Sequence, residues 1–202
     1  MTSTTSVAAE RAAEPALTPS EKELAHLYLR QTQCGLTGAI KGLSDAQWKF
    51  APAADRWSIA EIAEHVIFVF DRVLGPVLAG LATAPPPPSD RDCKQVDAIV
   101  ISQFPVRLAK FPAPEISHPA KTLASPSEAI DRFSQIYAAL AQHIDSAKGL
   151  RLHAIPAAPL KAVTQGAHES MDGYQWILAS AAHAERHTKQ ILEVRADPNF
   201  PW

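Results

Sequence analysis

Apolar residues recur at helical rather than strand spacing along most of this chain, and four segments carry the pattern strongly enough to define helices. The first opens at Thr18-Pro19-Ser20-Glu21, a hydroxyl cap followed by a first-turn proline and an early glutamate. Leu24, Leu27, Tyr28, Gln31, Cys34 and Leu36 follow, and the segment ends near Gly42-Leu43-Ser44. Ser44 to Trp48 then predicts one short helical turn. The second helix is the clearest. Ser58 and Glu61 have capping-box spacing, and Ile59, Ile62, Ala63, Val66, Phe70, Val73 and Leu74 form one stripe. Gly75-Pro76 should kink or end it, because proline cannot donate to the ladder.

Pro126-Ser127-Glu128 opens a third helix carrying Ile130, Phe133, Ile136, Tyr137, Leu140 and Ile144, which stops by Gly149. The fourth starts at Asp172 or Gly173 and runs to about Arg195, where Asp197-Pro198 halts it. Four consecutive prolines, Pro85 to Pro88, begin a connection of about 40 residues without sustained period, although Val96 to Phe104 suits a short helix. Residues 1–17 lack periodicity and read as a disordered tail. The pattern predicts an all-α four-helix bundle over residues 18–202. A long crossover between its second and third helices would let those two run parallel.

Composition narrows the function. Apolar residues make up 47% and charged residues 20%, an ordinary globular balance. Nineteen basic against 21 acidic side chains provide no basic face for nucleic acid. No apolar run reaches the roughly 20 residues of a membrane span, and Met1 to Pro15 contains no signal-like stretch. The cytoplasm is the expected compartment. Cys34 and Cys93 imply no disulfide framework, and Cys34 reads as a small core filler. Trp48, Trp57 and Trp176 read as core. Gly-rich phosphate loops, a G-x-S-x-G elbow and C-x-x-C pairs are all missing.

The histidines carry the chemistry. With Trp176 at zero on the fourth helix, His183 falls near 340° and His187 near 20°, within the stripe the bundle must bury. Two buried imidazoles one turn apart are costly unless each ring finds partners, and a divalent metal would supply one. Such a site needs a third ligand, and His65, about 60° off the edge of the second helix's stripe, is the natural one. Glu61 lies one turn before it, a candidate ring orienter or catalytic proton acceptor. A hydrogen-bonded core pair without metal is the plainer alternative. Glu185 points about 160° away from His187, so this is no zinc-protease helix. His26, His118, His143, His153 and His168 show no ligand spacing.

The stretch Leu43-Ser44-Asp45-Ala46-Gln47-Trp48, then Pro52, then Arg56-Trp57-Ser58-Ile59-Ala60-Glu61-Ile62-Ala63-Glu64-His65-Val66 resembles the second-helix signature of DinB/YfiT-like proteins. His183-Ala184-Glu185-Arg186-His187, followed by Gln190-Ile191, resembles their last-helix signature. The resemblance implies the crossover bundle, often paired as a homodimer. It also implies one divalent ion, nickel or zinc, on His65, His183 and His187. Relatives include thiol S-transferases using bacillithiol or mycothiol and proteins described as metal-dependent hydrolases. The expected activity is therefore metal-dependent attack on a small electrophilic substrate, with a low-molecular-weight thiol as possible co-substrate. The rival is a non-catalytic metal-binding or stress-related module, whose structural ion would have a closed four-ligand shell.

Overall fold

The computed structural model describes residues 15–107 and 115–202. The start signals at Thr18 and Ser58 act as the pattern predicts, and the same device recurs at two further starts. Thr18, Ser44, Ser58 and Asp172 each accept from the backbone N–H three residues on, while Glu21, Gln47, Glu61 and Gln175 reach back to the cap. They open α1 (Pro19–Ile40), α2 (Asp45–Trp48), α3 (Ile59–Arg72) and, last in the chain, α8 (Gly173–Arg195). Ser125 caps α6 (Pro126–Ser146).

The bundle consists of α1, α3, α6 and α8, with α1 and α3 each packed on both α6 and α8. Tyr174 at the start of α8 donates to the Glu21 carbonyl at the start of α1, and Arg195 at its end donates to the Ala39 carbonyl, so α1 and α8 run parallel. Lys22 and His26 of α1 instead meet Asp145 at the far end of α6, so that pair is antiparallel. Glu64 accepts from the Lys121 and Thr122 amides just ahead of α6, and Arg132 reaches Asp71 further along. Consecutive bundle helices α3 and α6 are therefore parallel. A short turn cannot join them, which is the topological reason for the long crossover. Trp48, Phe70, Phe133 and Tyr174 are among the fully buried side chains between the helices.

The crossover contains α5 (Cys93–Gln103), capped by Asp92 and laid on α8 with Val96 and Val100 fully buried. Gly75-Pro76 does not end the second bundle helix. Val73–Val77 forms one π-helical turn that leads into α4 (Leu78–Leu81). A wider turn accommodates the N–H that Pro76 lacks without breaking the helix. The loop after α6 holds two three-residue strands missed by periodicity, β1 (Ala154–Pro156) and β2 (Ser170–Asp172), paired antiparallel around α7 (Ala158–Val163).

Two expectations need correction. Ala16 bridges Lys148, the Gly149 amide donates to the Pro15 carbonyl, and Leu17 is buried, so the ordered chain starts before residue 18. The rest of the expected tail, residues 1–14, lies outside the described residues. Cys34 is exposed, because the core-facing stripe of α1 runs through Ala25, Tyr28, Leu29, Thr32 and Leu36 instead. No helix among the described residues is long and apolar enough to cross a membrane.

One end of the bundle is tied by a buried ionic knot. The Arg151 guanidinium donates to Glu21, to both oxygens of Asp97 and to Asp172, and it lies 4.1 Å from the Tyr174 ring centroid. A carboxylate from α1, one from α5 and the cap of α8 thus converge on one cation.

Candidate metal centre

The buried stripes of α3 and α8 face each other, and each stripe contains histidine. His65, expected at the margin of its stripe, is only 5% exposed, and His187 is 8% exposed. Nε2 of His183 lies 3.2 Å from Nε2 of His65 and 3.1 Å from Nε2 of His187. The three residues form a cluster whose ligand atoms all lie within 4.8 Å of one another, and no fourth His, Cys, Asp or Glu joins it among the described residues.

Two of the rings are oriented from behind. His65 Nδ1 lies 2.8 Å from the Ser117 carbonyl oxygen, and His187 Nδ1 lies 2.8 Å from Gln190 Oε1. Both partners can only accept, so both Nδ1 atoms carry the proton and both Nε2 atoms present lone pairs. His183 can donate to one of those lone pairs but not to both. Its Nδ1 is buried without a hydrogen-bond partner. Lone pairs at such separations repel unless a proton or cation sits between them. A tetrahedron with the 2.0–2.1 Å bonds of imidazole to zinc has edges of about 3.3 Å, close to the spacing here. The donor set fits a divalent ion.

The electrostatics favour neutral imidazoles. Burial lowers the pKa of His65, with the His118 charge adding to the effect. Burial first, then the charges of His187 and His65, hold His183 well below the usual range. Burial, with the charge of His65 next, pushes His187 down to about 3.

Glu61 takes a different place from the one expected. Its Oε2 accepts from the Ser58 amide and hydroxyl, and its Oε1 pairs with Lys121 at 3.3 Å. Burial pushes its pKa up, but the Ser58 hydrogen bonds and Lys121 outweigh that and leave it lowered. The Ser117 carbonyl, not Glu61, orients His65. Trp57, read as core, is half-buried and walls the site with its ring 4.9 Å from that of His65. The ring of the exposed His118 lies 6.1 Å from that of Trp57. Gln190 was visible in the last-helix signature as the glutamine after H-x-x-x-H, though spacing assigned it no role. A backbone carbonyl such as that of Ser117 leaves no residue signal at all.

The sequence pattern of the DinB superfamily matches residues 28–191, which include all three histidines and most of the chain. The chain belongs to the DinB superfamily. Among solved structures, this DinB-superfamily chain is similar to YfiT from Bacillus subtilis, described as a probable metal-dependent hydrolase with an unusual four-helix bundle topology. The TM-score is 0.52 at 11% identity, covering 89% of each chain, a likeness of fold. No curated protein matches the sequence.

Proposed function

We propose that this protein binds one divalent metal ion through Nε2 of His65, His183 and His187 and transfers a small thiol to an electrophilic substrate. The observation that carries the reading is the convergence of three neutral imidazoles, with the Nε2 atoms of His65 and His187 3.2 and 3.1 Å from that of His183. A bound divalent ion of the nickel or zinc kind would supply Lewis acidity that makes a coordinated thiol or water nucleophilic at neutral pH.

The chain's own residues do the rest. Ser117 and Gln190 fix the tautomers of His65 and His187, so that neither ring must lose a proton to become a ligand. Three protein ligands leave coordination positions open, which favours catalysis over a closed structural ion. Trp57 supplies an apolar wall that excludes water from one side. The absence of a carboxylate from the cluster, among the described residues, favours a thiol over water. A coordinated thiol ionises outright, whereas an attacking water profits from a nearby proton acceptor, and Glu61 is held by Ser58 and Lys121.

Hydrolysis is the second reading, favoured by the description of YfiT. The two separate in one assay. Tag-free protein loaded with nickel or zinc is mixed with a small electrophile such as monobromobimane, with and without cysteine, coenzyme A, bacillithiol or mycothiol. Acceleration over the buffer rate by a thiol supports transfer. No acceleration by any thiol, with turnover of an ester in its place, replaces it with hydrolysis.

A further inference from the structure

We infer that Arg107, four residues beyond α5, is a positioning residue for the metal centre. It dictates which end of the Gln190 amide faces His187. The inference rests on the metal-binding reading for its consequence, but its geometry stands in the protein alone.

A glutamine amide has an accepting end and a donating end. With Oε1 toward His187, as observed, Nδ1 of that ring must carry the proton and Nε2 is left free for an ion. With the amide reversed, its NH2 would face Nδ1, which would have to accept. The proton would then sit on Nε2, the atom facing His183 3.1 Å away. His187 and Gln190 alone do not choose between these states, since each arrangement makes one hydrogen bond. A donor-only group breaks the tie. Arg107 Nη1 lies 3.3 Å from the same Oε1, and a guanidinium cannot accept from the NH2 of a reversed amide.

Arg107 is itself held. Its Nε and Nη2 donate to the two oxygens of Glu193 at 2.8 Å each, a bidentate clamp. Lys189 reaches the Pro105 carbonyl and Arg186 the Val106 carbonyl, so the backbone leading to Arg107 is fastened to α8 as well. His187, Gln190 and Glu193 sit three residues apart along α8 and form one row under the guanidinium. The relay Glu193–Arg107–Gln190–His187 ends on a ligating ring.

The test is a double-mutant cycle with Gln190→Glu, because a carboxylate has two accepting ends and no wrong orientation. In metal-free protein labelled with 15N-histidine, the ring-nitrogen NMR shifts should give the Nδ1–H tautomer of His187 in wild type. A fraction of Nε2–H should appear in Arg107→Ala, and it should vanish again in Arg107→Ala/Gln190→Glu. Zinc affinity should fall about twofold in Arg107→Ala, the loss expected when half of the molecules hold the wrong tautomer. It should be kept in Arg107→Lys, which still donates, and it should not fall on adding Arg107→Ala to Gln190→Glu. An unchanged His187 tautomer in Arg107→Ala, or equal affinity losses in both backgrounds, overturns the inference. A wild type that shows the tautomer shifts but takes up neither zinc nor nickel overturns the metal reading while leaving the role of Arg107 in place.

Discussion

His183 and His65 face each other across the seam between α3 and α8 with their Nε2 atoms 3.2 Å apart, contributed by residues 118 positions distant in the chain. Nothing in hydrophobic packing requires two nitrogens to meet there. Replacing either with alanine should abolish stoichiometric nickel or zinc in protein purified without a histidine tag. Elemental analysis checks this, with circular dichroism confirming that the helices remain. Full metal content in His65→Ala would remove the site.

Metal-free protein should gain stability when His183 is replaced by leucine. The His183 ring is buried with no partner for its Nδ1 and can donate from Nε2 to only one of the two lone pairs it faces, and leucine removes both costs at similar volume. Thermal melts in chelator should show an increase of about 1 kcal/mol. The same substitution in the presence of zinc should lose the ligand-induced rise in Tm that wild type displays.

Acid should destabilise the metal-free protein. An unfolded histidine takes up a proton near pH 6.5, whereas folded His187 resists until about 3, and His65 and His183 are shifted in the same direction. Between those values the unfolded state binds more protons, so stability is greatest above pH 6.5 and falls as the pH drops toward 3. The slope should approach about 1.4 kcal/mol per pH unit for His187. Urea melts from pH 7.5 to 4.5 measure it, and His187→Gln should flatten the curve.

Arg151→Met should destabilise the fold by about 3 kcal/mol, because it leaves the Asp97 carboxylate buried without a cation and Asp172 with only Arg91, 3.8 Å away. Arg151→Lys should recover only part of this, since an ammonium cannot span the partners that the guanidinium reaches. Denaturant midpoints give both numbers.

Ser58→Ala should cost about 1 kcal/mol through loss of the α3 cap. Glu61→Gln should leave metal content unchanged, because that side chain serves the cap and Lys121 rather than His65. A loss of metal in Glu61→Gln would restore it to the site.

The parts of the fold legible in the sequence were those with local signals. The caps at Thr18 and Ser58 and the stripes of α3 and α8 marked bundle helices, and the four-residue spacing of His183 and His187 marked a buried pair. What local pattern does not encode was lost. Strands of three residues, Ala154–Pro156 and Ser170–Asp172, are too short to show alternation. Cys34 looked like core because its spacing fits a helix, yet only the packing of α1 on α6 and α8 decides which side is buried. Glu61 was close to His65 in sequence, but the capping box at Ser58 claimed its carboxylate first.

The crossover sends Arg107 toward the metal position from one side and the Ser117 carbonyl from the other. It therefore answers to two constraints at once, one of chain geometry and one of chemistry. A single residue added between α5 and Arg107, or between Ser117 and α6, would slide an anchor out of register and leave a well-folded bundle with a loosened binding pocket. Engineering or natural variation that treats this connection as a spacer will find it intolerant at those two feet.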